Sequence, residues 1–249
     1  MSNAAEEILS AALLVLRPDT TQQRRNEASN YLTRMIQMDE ANLSFVLQLI
    51  TDFMDKGNQG SVPCNLNLTS FEWDGIKGLL AGLFYKRCRA GRYISNDVDV
   101  MTVNQVIDRC LQKEPINETL TLFEKQMCAS RCAIAVHKLG TDHELLSTLL
   151  MKCQSSFSTG QQTNSYSMII AIEMLTMLSR ELESGSLTLK QSDYVLGECK
   201  AIVLSCVQSV FELYFQMNTN VQWIDLLLFS TLKSMRYVGH EIQKTTKYD

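Results

Sequence analysis

Residues 3–38 read NAAEEILSAALLVLRPDTTQQRRNEASNYLTRMIQM, and their pattern decides the fold class. Ile8, Leu9, Ala12, Leu13 and Leu16 recur at three- and four-residue spacing, which is the apolar stripe of one helix face. Pro18 stops that helix because proline lacks the N–H that a helix interior needs. Asp19, Thr20 or Thr21 can then cap a second helix. The second helix turns Ala28, Tyr31, Leu32 and Met35 inward and Arg24, Asn26, Asn30 and Thr33 outward. So short a turn forces the two helices antiparallel, and neither buries its stripe alone.

The same grammar runs down the chain. Breaks in the helical pattern fall at Arg17–Thr20, Asp55–Ser70, Arg92–Asp97, Glu114–Asn117, Gly140–Asp142, Phe157–Asn164 and Asn218–Asn220. Pro18, Pro63 and Pro115 all lie in those breaks, and no convincing strand alternation appears. Pairing the helices gives units starting near residues 3, 39, 97, 141 and 188. A spacing of roughly 45 is that of HEAT or armadillo repeats. The expectation is an all-α, right-handed α-solenoid of about five HEAT-type hairpins, one array over residues 1–249 whose long surface binds other proteins. Residues 55–70, DKGNQGSVPCNLNLTS, read as a flexible loop, either a plain insertion or a partner contact.

The third helix, entered at Asp39, buries Leu43, Val46, Leu47, Ile50 and Phe53. The fourth, Phe71 to Ala90, packs Ile76, Leu79, Leu80, Leu83 and Phe84. It also carries a stripe of Gly75, Gly78 and Gly82, which implies that a neighbouring backbone comes close, with a kinked or frayed helix as the rival reading. Its end, YKRCRAGR, holds Lys86, Arg87, Arg89 and Arg92. Cations suit a helix C-terminus, and so dense a group also reads as a basic contact patch. Further stripes are Val103, Ile107 and Cys110, then Leu120, Phe123, Met127 and Ile134 with a polar edge of Glu124, Arg131 and Lys138. Met168, Ile172 and Leu175 follow, then Val195 to Val210, and a last helix with Trp223, Leu226 and Leu227.

Hydrophobic content of 45% and charged content of 20% are those of a folded chain. A net charge of −4 argues against direct nucleic-acid binding, and no apolar run is long enough to span a membrane. Of the eight cysteines, Cys128, Cys132, Cys199 and Cys206 sit at helical spacing among apolar neighbours. With no C-x-x-C pair and no signal peptide they read as reduced, buried packing residues. His137, His143 and His240 form no H-E-x-x-H helix, and phosphate-cradling glycine loops are missing, so neither an enzyme nor a cofactor or metal site is expected. A Cys–His pair brought together by the fold is the remaining catalytic alternative.

The first pair, AAEEILSAALLVL followed by QQRRNEASNYL with Arg25, Ala28 and Leu32 in R-x-x-A-x-x-x-L order, resembles the start of the importin-β (karyopherin) superfamily. The fourth helix, GLLAGLFYKRCRAGRYISN, is similar to the second inner helix of that family, with Arg87 where the family carries asparagine. KQMCASRCAIAVHKLG and SMIIAIEMLTMLSRELES look like helices of the transportin-SR and importin-thirteen branch, with Ser179 in place of the branch's proline.

The resemblance implies the N-terminal region of a longer nuclear transport receptor, shuttling between nucleus and cytoplasm. Residues 1–54 would be the family's N-terminal repeat and the start of the second, and 71–249 further repeats. Implied partners are the GTP form of the small GTPase Ran, nucleoporins and serine/arginine-rich protein cargo. Implied Ran contacts are the exposed polar groups of inner helices: Asn30 and Thr33, Lys86 and Arg87, Glu124 and Arg131. A static helical-repeat scaffold, such as a phosphatase regulatory subunit, is the alternative, and import is not distinguished from export.

Overall fold

The computed structural model describes residues 3–38, 42–57, 68–93, 98–112, 120–139, 143–157 and 165–184, with the isolated positions 202, 205 and 208. Among them the chain is all-α, with no strand. The elements are α1 (Asn3–Leu16), α2 (Gln22–Leu32), a π-helical turn (Thr33–Gln37), α3 (Leu43–Gly57), α4 (Ser70–Arg89), α5 (Val100–Cys110), α6 (Leu122–Lys138), α7 (Glu144–Ser155) and α8 (Ser165–Ser184). Of the expected helix at 190–217 only residues 202, 205 and 208 are described, all three helical, while the expected helix around Trp223 and residues 58–67 of the expected loop lie outside the described residues. The chain divides into two compact units, residues 1–113 with 121–130 and residues 114–120 with 131–249.

In the first unit α1 and α2 form the expected hairpin. Ile8, Leu9, Ala12 and Leu13 are buried against Ala28 and Leu32, whereas Leu16 stays partly exposed. Thr21 occupies the N-cap of α2 but makes no side-chain cap bond. The turn is fixed instead by Arg25, whose Nη2–H groups donate to the carbonyls of Arg17 and Thr20 at 3.1 and 3.3 Å. These carbonyls belong to the turn that follows α1, so a side chain of the next helix holds that turn closed. α2 then widens into the π-helical turn, where the Met38 N–H donates to the Thr33 carbonyl at 3.0 Å.

Later helices begin on strong caps. α4 opens with a capping box in which Thr69 Oγ1 accepts from the Glu72 N–H, and the Glu72 carboxylate accepts from the Thr69 N–H. α5 opens on Asp99, which accepts from the Thr102 N–H at 2.6 Å. α6 repeats the box with Thr121 and Glu124. α3 begins beyond Asn42, whose side chain accepts from the Ser44 N–H, while Asp39, the expected entry, lies outside the described residues.

The helices of this unit form a row. Around α4, Gly78 meets Leu122, Gly82 meets Gln126 and Cys88 reaches Ser130, so α4 and α6 run parallel. At the other side the C-terminal end of α4 meets the π-helical turn that ends α2, where Arg87 Nη1 donates to the Ile36 carbonyl. α2, α4 and the first half of α6 are therefore consecutive, parallel neighbours. α1 lies antiparallel to α4, with Leu16 against Gly75 and Arg17 paired to Glu72 at 3.1 Å, and α3 packs on α4 and α5.

The glycine stripe has a different cause from the one its sequence implies. Among the described residues the nearest neighbours of all three glycines are side-chain atoms. A Cβ on Gly75 would stand 3.2 Å from Leu16 Cδ1, and one on Gly78 only 2.8 Å from Leu122 Cδ2, so the glycines seat leucine side chains. Gly82 has open space, its nearest contact being Gln126 at 4.0 Å. α4 is continuous over the stripe rather than interrupted there.

In the second unit α7 packs on α8, and Leu145, Leu146, Leu149 and Leu150 of α7 and Met168, Ile172, Leu175 and Leu178 of α8 are buried. Cys132, in the latter half of α6, donates its thiol to the Met174 carbonyl at 3.1 Å.

Two measurements follow from these contacts. Gly82→Ala should stabilise the protein by up to about 1 kcal/mol through helix propensity alone, whereas at Gly78 the clash with Leu122 should cancel that gain, as urea midpoints would read. Glu72 is held below the usual carboxylate range by its Thr69 hydrogen bonds and then by Arg17, and Asp99 by its bonds to Thr102. A depressed folded-state pKa contributes stability above the unfolded value and loses it as pH falls through the folded one. Stability should therefore drop below about pH 4, and Thr69→Ala, at a typical cap cost of about 1 kcal/mol, should flatten that drop.

Candidate partner-binding surface

The six candidate contact residues separate into three kinds of site. Asn30 is exposed on α2 and Lys86 is exposed near the end of α4. Thr33, partly buried, opens the π-helical turn, and its N–H closes the last turn of α2 onto the carbonyls of Asn30 and Ser29. Asn30 and Lys86 thus lie on adjacent parallel helices. Glu124 is committed to the first turn of α6, where its carboxylate accepts from the Thr121 N–H and hydroxyl at 2.6 and 2.8 Å.

Arg87 and Arg131 correct the sequence reading, which placed both on an exposed inner surface. Arg87 is 3% exposed and Arg131 4%. The physical reason at Arg87 is plain. Its Nε–H donates to the Arg92 carbonyl at 2.8 Å and its Nη1–H to the Ile36 carbonyl at 3.3 Å. One guanidinium so ties the chain leaving α4 to the end of the preceding hairpin, which a planar fork does and a point charge does not. Arg92 adds to the joint, its Nη1 lying 3.5 Å from the Gln37 carbonyl and 3.0 Å from Met38 Sδ. Much of the basic run YKRCRAGR is thus consumed in closing helix ends. Gly91, at φ 75°, lets the chain turn back between the two arginines. Arg131 lies in the second unit, where its charge is felt by the Cys153 thiol.

Cys88, Cys110, Cys128, Cys132 and Cys153 are buried and unbridged, as the apolar spacing of Cys128 and Cys132 implied, while Cys199 and Cys206 lie outside the described residues. Burial pushes the Cys153 thiol up to about 12 and raises Cys88 further still. Neither holds a thiolate near neutral pH, so neither is placed to act as a nucleophile. His137 and His143 are exposed, and His240 lies outside the described residues. Among the described residues no cluster of three His, Cys, Asp or Glu side chains could hold a metal, and no helix is long and apolar enough to cross a membrane.

Comparison of the chain with protein-family models, with curated proteins and with solved structures returns no match. The family likeness therefore rests on the residues of the helices themselves.

Sequence reasoning missed the across-helix capping by Arg25, Arg87 and Arg92. Spacing gives it no signal, because the partners are carbonyls on other elements. Arg87→Ala should cost about 1.5–3 kcal/mol, with Arg87→Lys recovering little, while Lys86→Ala should stay within about 0.5 kcal/mol. Urea denaturation of the three variants checks this. Thiol labelling of the native protein at neutral pH should spare the five buried cysteines and capture them in denaturant.

Proposed function

We propose that the chain is the N-terminal part of a helical-repeat nuclear transport receptor of the importin-β type, binding Ran in its GTP form. The observation that carries the reading is the parallel row of α2, α4 and the first half of α6, with α1 packed on α2 and α3 on α4, an arrangement that a HEAT-type solenoid would have. The R-x-x-A-x-x-x-L likeness gains a physical basis as well. Arg25 closes the first hairpin, while Ala28 and Leu32 are buried. In this reading the second helix of each pair faces the partner, and Asn30 and Lys86 offer Ran a donor-rich polar pair on neighbouring helices. Nucleoporins and serine/arginine-rich cargo would engage surfaces elsewhere on the receptor, which would shuttle between nucleus and cytoplasm. Neither catalysis nor a cofactor enters this function.

One observation favours the second reading, a static scaffold. Arg87 and Arg131, two of the six implied contacts, are buried, and Arg87 is committed to closing the end of the π-helical turn. A scaffold needs no nucleotide sensing.

Calorimetric titration of the chain with Ran in both nucleotide states separates the two. The transport reading expects binding of the GTP form only, weakened several-fold by Asn30→Ala with Lys86→Ala and more strongly salt-dependent in the wild type, as for exposed charges. Equal affinity for both states, or none for either, moves the assignment to the scaffold.

A further inference from the structure

The first hairpin carries an open groove of about 680 Å³ between α1 and α2. Its floor is shallow because Ala11 on α1 and Ala28 on α2 each contribute a single methyl. Leu14 lines it while leaving 39% of its surface exposed, an apolar contact point open to solvent. The rim is acidic: Glu6, Glu7 and Glu27 line the groove against one cation, Arg24. Glu7 accepts from the Tyr31 hydroxyl at 3.1 Å and Glu27 from the Gln23 amide at 3.0 Å. Among the described residues none of the three carboxylates is paired with a cation. Glu6, in the first turn of α1, suits the positive end of its dipole, but Glu7 lies beyond that turn and Glu27 stands in the body of α2, where the dipole supplies no reason for them.

Two antiparallel helices with small residues between them and long ones on the rim make a seat for a third helix. The rim charge decides which helix. We propose that the α1–α2 groove binds a basic amphipathic helix of a partner protein. Aliphatic side chains one turn apart lie on the Ala11–Ala28 floor beside Leu14, and lysine or arginine side chains reach Glu6, Glu7 and Glu27. This inference stands independently of the proposed Ran binding, whose candidate residues Asn30 and Lys86 do not line the groove.

The probe is a labelled helical peptide with leucines at i and i+4 flanked by lysines, together with a twin carrying glutamates for the lysines. Each is titrated against the full chain by fluorescence anisotropy. The lysine peptide should bind and its twin should not, with affinity falling as added salt shortens the screening length below about 8 Å. Glu6→Lys with Glu27→Lys, both exposed positions, should weaken the lysine peptide about tenfold and admit the glutamate twin. Leu14→Asn should weaken binding of the lysine peptide without altering its salt dependence. An unchanged urea midpoint shows that each variant is folded. Equal affinity of the two peptides, equal affinity of wild type and charge-reversed variant, or no binding at millimolar peptide would overturn the proposal. So would a concentration-dependent dimer in sedimentation that the charge-reversed variant abolishes, since the occupant would then be a second copy of this chain.

Discussion

A helix leaves its last carbonyls without donors, and the first unit of this protein is organised around supplying them from other elements. Arg87 does so between hairpins, reaching from α4 to the π-helical turn that ends α2. Arg25 plays a related part within the first hairpin, reaching back from α2 to the carbonyls of the turn that follows α1. Leaving a buried carbonyl unmet costs about as much as the whole hydrogen bond it replaces, and total stability is only several kcal/mol. The joint at Arg87 is consequently a constraint on the row. With it in place the ends of α2 and α4 are held level, and the leucine–glycine contacts further along α4 fall into register.

The hairpin grammar was legible because it is local. Apolar spacing located most of the described helices to within a few residues, α7 was bounded by the breaks on either side of it, and the Thr-x-x-Glu cap of α4 lies at the boundary that the pattern implied. What the chain does with its charges was not legible in the same way. Glu124 has the sequence look of an exposed edge residue, yet its position three residues after Thr121 makes it a capping-box partner, a signal that was present and went unread. Arg87 carries no such signal. Its burial follows from the path of the chain at Gly91 and from the carbonyl of a residue far earlier in sequence. The glycine stripe was legible as close packing, but whether a backbone or a leucine fills it depends on which helices become neighbours.

These assignments reshape the proposed binding surface. Removing Arg87 and Arg131 from it leaves a smaller set of exposed polar groups on α2 and α4, centred on Asn30 and Lys86. A surface of that kind governs encounter rate and salt dependence more than tight residence, so firm partner binding would draw on further repeats. The groove of the first hairpin differs in charge, its rim carrying Glu6, Glu7 and Glu27 against Arg24.

The central claim is that successive hairpins are joined through Arg87 and open together. Native-state hydrogen exchange tests it most directly, by comparing amides of the π-helical turn, Thr33 to Met38, with those at the end of α4, Tyr85 to Arg89. The account predicts a common opening free energy for the two segments, falling together in Arg87→Lys. Protection of the α4 segment that persists while the π-helical turn exchanges freely, in wild type and variant alike, would contradict it.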